Sequence, residues 1–171
     1  AVNGTAAIVE FPGVLYRGGA EQKIRKYLVV NNYIDTVIQL PPDLFFGTTI
    51  ATCVIVLKKS KKDNAILFID ASALFTRVGN KNKLMPAHQK RILDAFASRT
   101  NEPHFTKLVS AADIEANNYN VSVSSYVQKE DKTEAIDITT LNAEIAAIVT
   151  RQSKLREQID TIVADLEGSS V

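Results

Sequence analysis

The chain has 171 residues, 20 basic against 19 acidic side chains and 46% hydrophobic residues, enough to bury a real core and too apolar for global disorder. The nearly cancelling charge lacks the basic excess of a general phosphate binder, so charge by itself names no partner. A single cysteine, Cys53, excludes an internal disulfide and a multi-cysteine metal site, and every apolar run is far shorter than the ~20 residues of a membrane helix.

Thr5 to Phe11 is β-rich and ends at Pro12-Gly13, which predicts a buried strand closed by a turn. From Ala20 to Asn31, the residues Ile24, Tyr27 and Leu28 share one helical face, Glu21 lies near the positive end and Asn31-Asn32 supplies a stop, so a helix is expected. Ile34 to Leu40 reads as the next strand, making a β-α-β unit with a parallel, right-handed crossover. Pro41-Pro42 closes it, and Phe45-Phe46-Gly47 reads as a turn with aromatic anchors. Ile50 to Leu57 is apolar enough for a central strand buried on both faces.

A polar, basic connection from Lys58 to Asn64 leads to a short strand, Ala65 to Ile69, expected to add an edge. Pro86 is placed to open a helix through Arg99 whose buried stripe would be Ile92, Leu93 and Phe96. Ser110 with Asp113 has the spacing of a capping box and predicts a short helix to about Asn117, followed by a short alternating strand over 121–126. The charged stretch 128–136 reads as a linker between an α/β domain at 1–127 and a long helix at 137–168. Within that helix Ile138, Leu141, Ile145, Ile148, Gln152, Leu155, Ile159, Ile162 and Leu166 alternate spacings of three and four, the period of a coiled-coil seam with Gln152 as its one polar position. Such a seam demands a partner helix.

Chemical motifs are scarce. Gly13, Gly18 and Gly19 lie between a strand and a helix, but the bulky Val14 to Arg17 between them and the lack of a following Lys-Ser or Lys-Thr argue for an ordinary βα loop over a phosphate cradle; lining a site completed by other residues stays open to it. Pro41-Pro42 follows Leu40, whose side chain cannot accept a hydrogen bond from a base's exocyclic amine, so it reads as a strand terminator. His88 and His104 have no partner at metal-ligand spacing and suit surface or helix-cap roles; no metal site is expected. Cys53 reads as a small buried apolar residue. The dense basic cluster Lys58, Lys59, Lys61 and Lys62 is a solvated connection or, more sharply, a contact to DNA phosphates. A start without Met that opens almost at once into a strand suggests a fragment or processed product, and with no leader-like segment the cytoplasm is the expected compartment.

The stretches Gly13 to Glu21 with Ile24-Arg25, Val37-Ile38-Gln39-Leu40-Pro41-Pro42-Asp43-Leu44-Phe45-Phe46-Gly47-Thr48, Val56-Leu57-Lys58-Lys59, and Phe68-Ile69-Asp70-Ala71-Ser72 together resemble the DNA methylation subunit of type I restriction-modification systems. Ala51 departs from a proline often found there, and 118–126 matches only in part. The resemblance implies the C-terminal part of an adenine-N6 methyltransferase with a partial doubly wound, Rossmann-like mixed α/β sheet and a long C-terminal helix. It implies S-adenosylmethionine as cofactor of the whole subunit, and as partners DNA, a specificity subunit, a restriction subunit and a second copy of the methylation subunit, with no membrane.

On that reading the catalytic and cofactor loops lie upstream and neither falls on a residue of this chain. Arg17, Gly18, Gly19, Lys58 and Lys59 are the candidates for the DNA or target-base cleft. Leu141, Ile145, Ile148, Gln152, Leu155, Ile159 and Ile162 are the candidates for subunit docking, and the chain alone is expected to be inactive. The rivals are a stand-alone α/β interaction module that dimerises through residues 138 to 166, and a small complete transferase with an unfamiliar cofactor site.

Overall fold

The computed structural model describes residues 1–129 and 138–168, which divide at residue 130 into two units. The first unit holds strands Thr5–Glu10 (β1), Ile34–Gln39 (β2), Cys53–Lys58 (β3), Ile66–Asp70 (β4), Thr76–Val78 (β5), Lys81–Lys83 (β6) and Thr106–Val109 (β7). Its helices are Ala20–Val30 (α1), Pro86–Ser98 (α2) and Ala111–Ala116 (α3), with 3-10 turns at Pro12–Leu15 and Val123–Ser125. The second unit is the helix Ile138–Gly168 (α4).

Five strands form a mixed sheet in the order β1-β3-β2-β4-β7. β3 runs antiparallel to both β1 and β2, β2 is parallel to β4, and β7 closes the far edge antiparallel to β4. β1 and β2 therefore point the same way without pairing. The expected β-α-β unit is present with a third strand inserted, because β3 is apolar enough to lie between two neighbours. Side chains alternate across the sheet. Val37, Cys53, Phe68 and Val109 pack on one face with Leu15, Val29, Ile114 and Val121, while Ile38, Leu67 and Ile69 pack on the other with Ile92, Ala95 and Phe105. The unit is thus three layers, with α1 and α3 on one side and α2 on the other.

Local chemistry explains the helix limits. The Asn31 side chain donates to Tyr27 O at 2.8 Å, and Asn32 takes a left-handed conformation (φ 58°) that ends α1. Pro86 opens α2, where His88 Nδ1 accepts from the Met85 N–H. Ser110 Oγ accepts from the Asp113 N–H at the start of α3.

Several expectations are corrected. β1 is an exposed edge strand, not a buried one, because only one of its edges is paired among the described residues and α1 overhangs one face without closing on it, leaving Ile8 41% exposed. In α1, Arg25 and Val29 are buried whereas Ile24 and Tyr27 are each 59% exposed. The apolar stripe overhangs a groove of about 220 Å³ toward Ile8 and Ile55, and Arg25 turns inward to satisfy loop carbonyls. Phe46 is 99% exposed and Phe45 partly so; neither anchors its turn. β3 is interior but β2 is central, and β4 is a wholly buried interior strand, since β7 takes the edge. In α2 the inward residues are Ile92 and Ala95, and Leu93 faces solvent. Residues 121–126 form a tight turn instead of a strand: Asn120 Oδ1 accepts from the Ser122 N–H, and the Tyr126 hydroxyl donates to Asn120 O. Their alternation arises because Val121, Val123 and Val127 all point into the core. The charged stretch read as a linker falls mostly on 130–137, outside the described residues.

Candidate nucleic-acid interface

Parallel strands place their outgoing loops at one end of a sheet. The C-terminal ends of β1, β2 and β4 lead into residues 11–19, 41–52 and 71–75, so these three segments gather at a common end.

The first segment is built from inside. Leu15 is fully buried, its carbonyl accepts from the Val121 N–H at 2.9 Å, and the Arg25 guanidinium donates to Val14 O and Tyr119 O, both at 2.8 Å. Burial pulls the Arg25 pKa below its usual value, partly offset by Glu21, yet an arginine keeps its charge under such a shift. With its base pinned, the segment holds Tyr16, Arg17, Gly18 and Gly19 at the surface. Gly13 makes room for Arg17: a Cβ there would lie 2.9 Å from the guanidinium. Gly19 (φ 73°, ψ −128°) occupies a region that side chains strongly disfavour and turns the chain into α1.

The second segment is braced from outside by the β5-β6 hairpin. Buried Asn82 donates its amide to Pro42 O at 2.8 Å and its backbone N–H to Asp43 O at 3.0 Å. Arg77 pairs with Asp43 at 3.0 Å and also donates to Asn82 Oδ1, while Lys81 Nζ donates to Phe45 O and Thr48 O. Exposed Phe46 thus projects from a loop fixed at several points. At the third segment, the Ala71 N–H donates to Gln39 O and the Ser72 N–H to Asp70 Oδ1.

The candidate residues separate. Arg17, Gly18 and Gly19 stand at this gathered end, whereas Thr5 pairs with Lys58 and Glu10 with Cys53, so Lys58 and Lys59 lie at the opposite end of the sheet. Five residue steps put the two groups on the order of 17 Å apart along the strands. They stand at opposite ends of the sheet. Near Lys58, the Lys61 ammonium donates to Ile34 O at 2.9 Å, and burial, opposed by Asp63 and Asp35, lowers its pKa to about 8. Buried Asp35 is paired with Arg99 at 3.1 Å.

Cys53 is buried, and that burial together with the nearby Glu10 carboxylate raises its thiol to about 11, which leaves it protonated and unreactive at neutral pH. No group of three His, Cys, Asp or Glu residues suited to a metal occurs among the described residues, and no helix among them is long and apolar enough to cross a membrane. The docking candidates Leu141, Ile145, Ile148, Leu155, Ile159 and Ile162 are all exposed on α4, and Gln152 sits midway along them. Sequence reasoning missed the bracing hairpin, although Val78-Gly79-Asn80-Lys81 carries a hairpin signal. It also missed the inward role of Arg25, for which the sequence holds no signal.

The model for the family described as N-6 DNA methylase matches residues 1–135. The chain is 47% identical over 165 residues to the methylase subunit of the type I restriction enzyme MpnII of Mycoplasma pneumoniae, covering 96% of this chain and 30% of that protein. Identity to the MjaVII methylase subunit of Methanocaldococcus jannaschii is 34% over 167 residues, covering 94% and 28%. The crystal structure of a type I restriction-modification methyltransferase subunit from Streptococcus thermophilus matches with a TM-score of 0.72 at 45% identity, over 73% of this chain and 27% of that one. The chain thus spans less than a third of the length of these relatives.

Proposed function

The chain belongs to the N-6 DNA methylase family, and from that premise we propose that it is the C-terminal part of a type I restriction-modification subunit that methylates adenine N6 in DNA. The observation that carries this reading is the 47% identity to a type I methylase subunit, sustained over 96% of the chain while covering only 30% of that relative. The whole subunit would use S-adenosylmethionine and work with a specificity subunit, a restriction subunit, a second methylation subunit and DNA.

Within the subunit this segment supplies the distal strands of the sheet. β1 has one unpaired edge among the described residues and exposes Ile8 and Val9, so it is suited to receive a further strand and its covering layer. The loop carrying Arg17, Gly18 and Gly19 is one wall of the target-base cleft, with Arg17 as a phosphate contact. Lys58 and Lys59, at the other end, would make any phosphate contact of their own. α4 docks the specificity subunit.

The Gly-rich turn at 13–19 does not fit the cofactor itself. Leu15 fills the interior of the Gly-rich turn at 13–19, and the Arg17 guanidinium lies against Gly13 where a cradle would have to be open. On this reading the methyl group, which S-adenosylmethionine supplies when bound, is handled by residues elsewhere in the subunit. This chain's part is to position DNA.

Methyl transfer from labelled S-adenosylmethionine to DNA tests the reading. The full-length subunit assembled with its specificity subunit is expected to label adenine, and the 171-residue chain alone to give none. Turnover by the chain alone, or inactivity of the complete assembly, overturns it.

A further inference from the structure

The seam of α4 holds more than its period. With Ile138 at heptad position a, Ile145, Gln152 and Ile159 are also a, and Leu141, Ile148, Leu155 and Ile162 are d. Val149 and Val163 then fall at e and are 53% and 45% exposed, so the apolar stripe is wider than a two-stranded seam and offers surface to two neighbouring helices. The stripe is broken once. Gln152 at a is flanked by Arg151 at g and Arg156 at e, and these three residues line a shallow groove with Ile148, Leu155 and Ile159. Neither arginine has a carboxylate within salt-bridge distance among the described residues.

A second copy of the helix answers this layer badly. In a parallel pair, each g residue faces the e residue five positions on in its partner: Glu144 meets Val149, Gln158 meets Val163 and Arg151 meets Arg156. The one doubly charged pairing is repulsive, and symmetry repeats it on both sides. A fully overlapped antiparallel pair sets each a position against a partner d position, so Gln152 packs on the apolar Leu155 of the other copy and its amide is left unpaired at both crossings. Like charges in the parallel pair and an unpaired amide in the antiparallel one oppose association of two copies.

We propose that α4 is read by a helical element of a different chain that sets one or more carboxylates against Arg151, Gln152 and Arg156. This rests on the reading of α4 as a docking helix and adds the chemistry of its partner. The apolar positions give adhesion. The layer fixes register, because sliding the partner by a heptad would bury the arginines against apolar side chains and leave the carboxylate unpaired.

The test uses the full-length subunit with the specificity subunit of the same system. Reversing both charges (R151E with R156E) is expected to weaken the complex at least about tenfold, while R151K with R156K stays close to the parent and circular dichroism shows the helix intact. A photo-cross-linker at position 152 should capture a helix of the specificity subunit within one turn of an Asp or Glu. Leu155→Asp separates the two levels. If it abolishes binding while the double reversal changes nothing, the carboxylate layer is refuted and docking stands; if neither substitution matters, docking itself falls. Capture of a second copy of this chain at position 152 also overturns the proposal.

Discussion

Arg25 shows how much one side chain can decide. Its guanidinium satisfies two carbonyls, one in the loop before α1 and one 94 residues away in the turn after α3, and so ties the Arg17-bearing segment to the core. Replacing it by methionine keeps much of the volume but leaves both carbonyls without a donor, an expected loss of about 2–4 kcal/mol. Urea denaturation of the chain measures this directly. Arg17→Met, at an exposed position, is expected to stay within about 0.5 kcal/mol in the same experiment. A sequence cannot separate these two arginines, since both follow apolar or aromatic residues in a polar stretch; only the partners found at distance do.

At the scale of elements, the β5-β6 hairpin is a brace whose function lies outside its own two short strands. Asn82 is buried, donates to Pro42 O and accepts from Arg77, which in turn holds Asp43. Asn82→Ala is expected to lower the local opening free energy of residues 43–50 by roughly 2 kcal/mol, equivalent to about thirtyfold faster amide exchange. Hydrogen exchange followed by mass spectrometry should show that increase in 43–50 and little change in the core strand β4. A uniform increase across the sheet would instead mean that the hairpin supports the whole domain. The strands β1 to β4, and the three helices of the first unit, were legible because each carries an apolar run or a cap close to its ends. β7 and the hairpin were not, because Thr106–Val109 and Lys81–Lys83 are too short and too polar to show a period.

For the molecule as a whole, the uncovered side of β1 carries a consequence. Val9 is 51% exposed on the sheet face that α2 covers further along, beside Val54 of β3. Val9→Lys should leave the stability of the isolated chain within about 0.5 kcal/mol, as at any solvated position. In the full-length subunit the same lysine would be buried under added structure, and the yield of soluble, folded subunit should collapse. Thermal unfolding of the two forms side by side provides the comparison, and equal tolerance in both would mean that β1 is an outer edge in the complete subunit as well.

The sequence by itself determined the α/β class, the position of most strands and helices, the heptad period of α4 and, through its linked motifs, the family. Each of these is written in residues close together along the chain: a period, a cap, a turn. Tertiary structure alone decided that β3 separates β1 from β2, that Arg25 and not Ile24 faces inward, and that Arg17 and Lys58 stand at opposite ends of the sheet. Those outcomes depend on strand order and on partners tens of residues away, and no local pattern encodes which edge of an apolar strand another will choose.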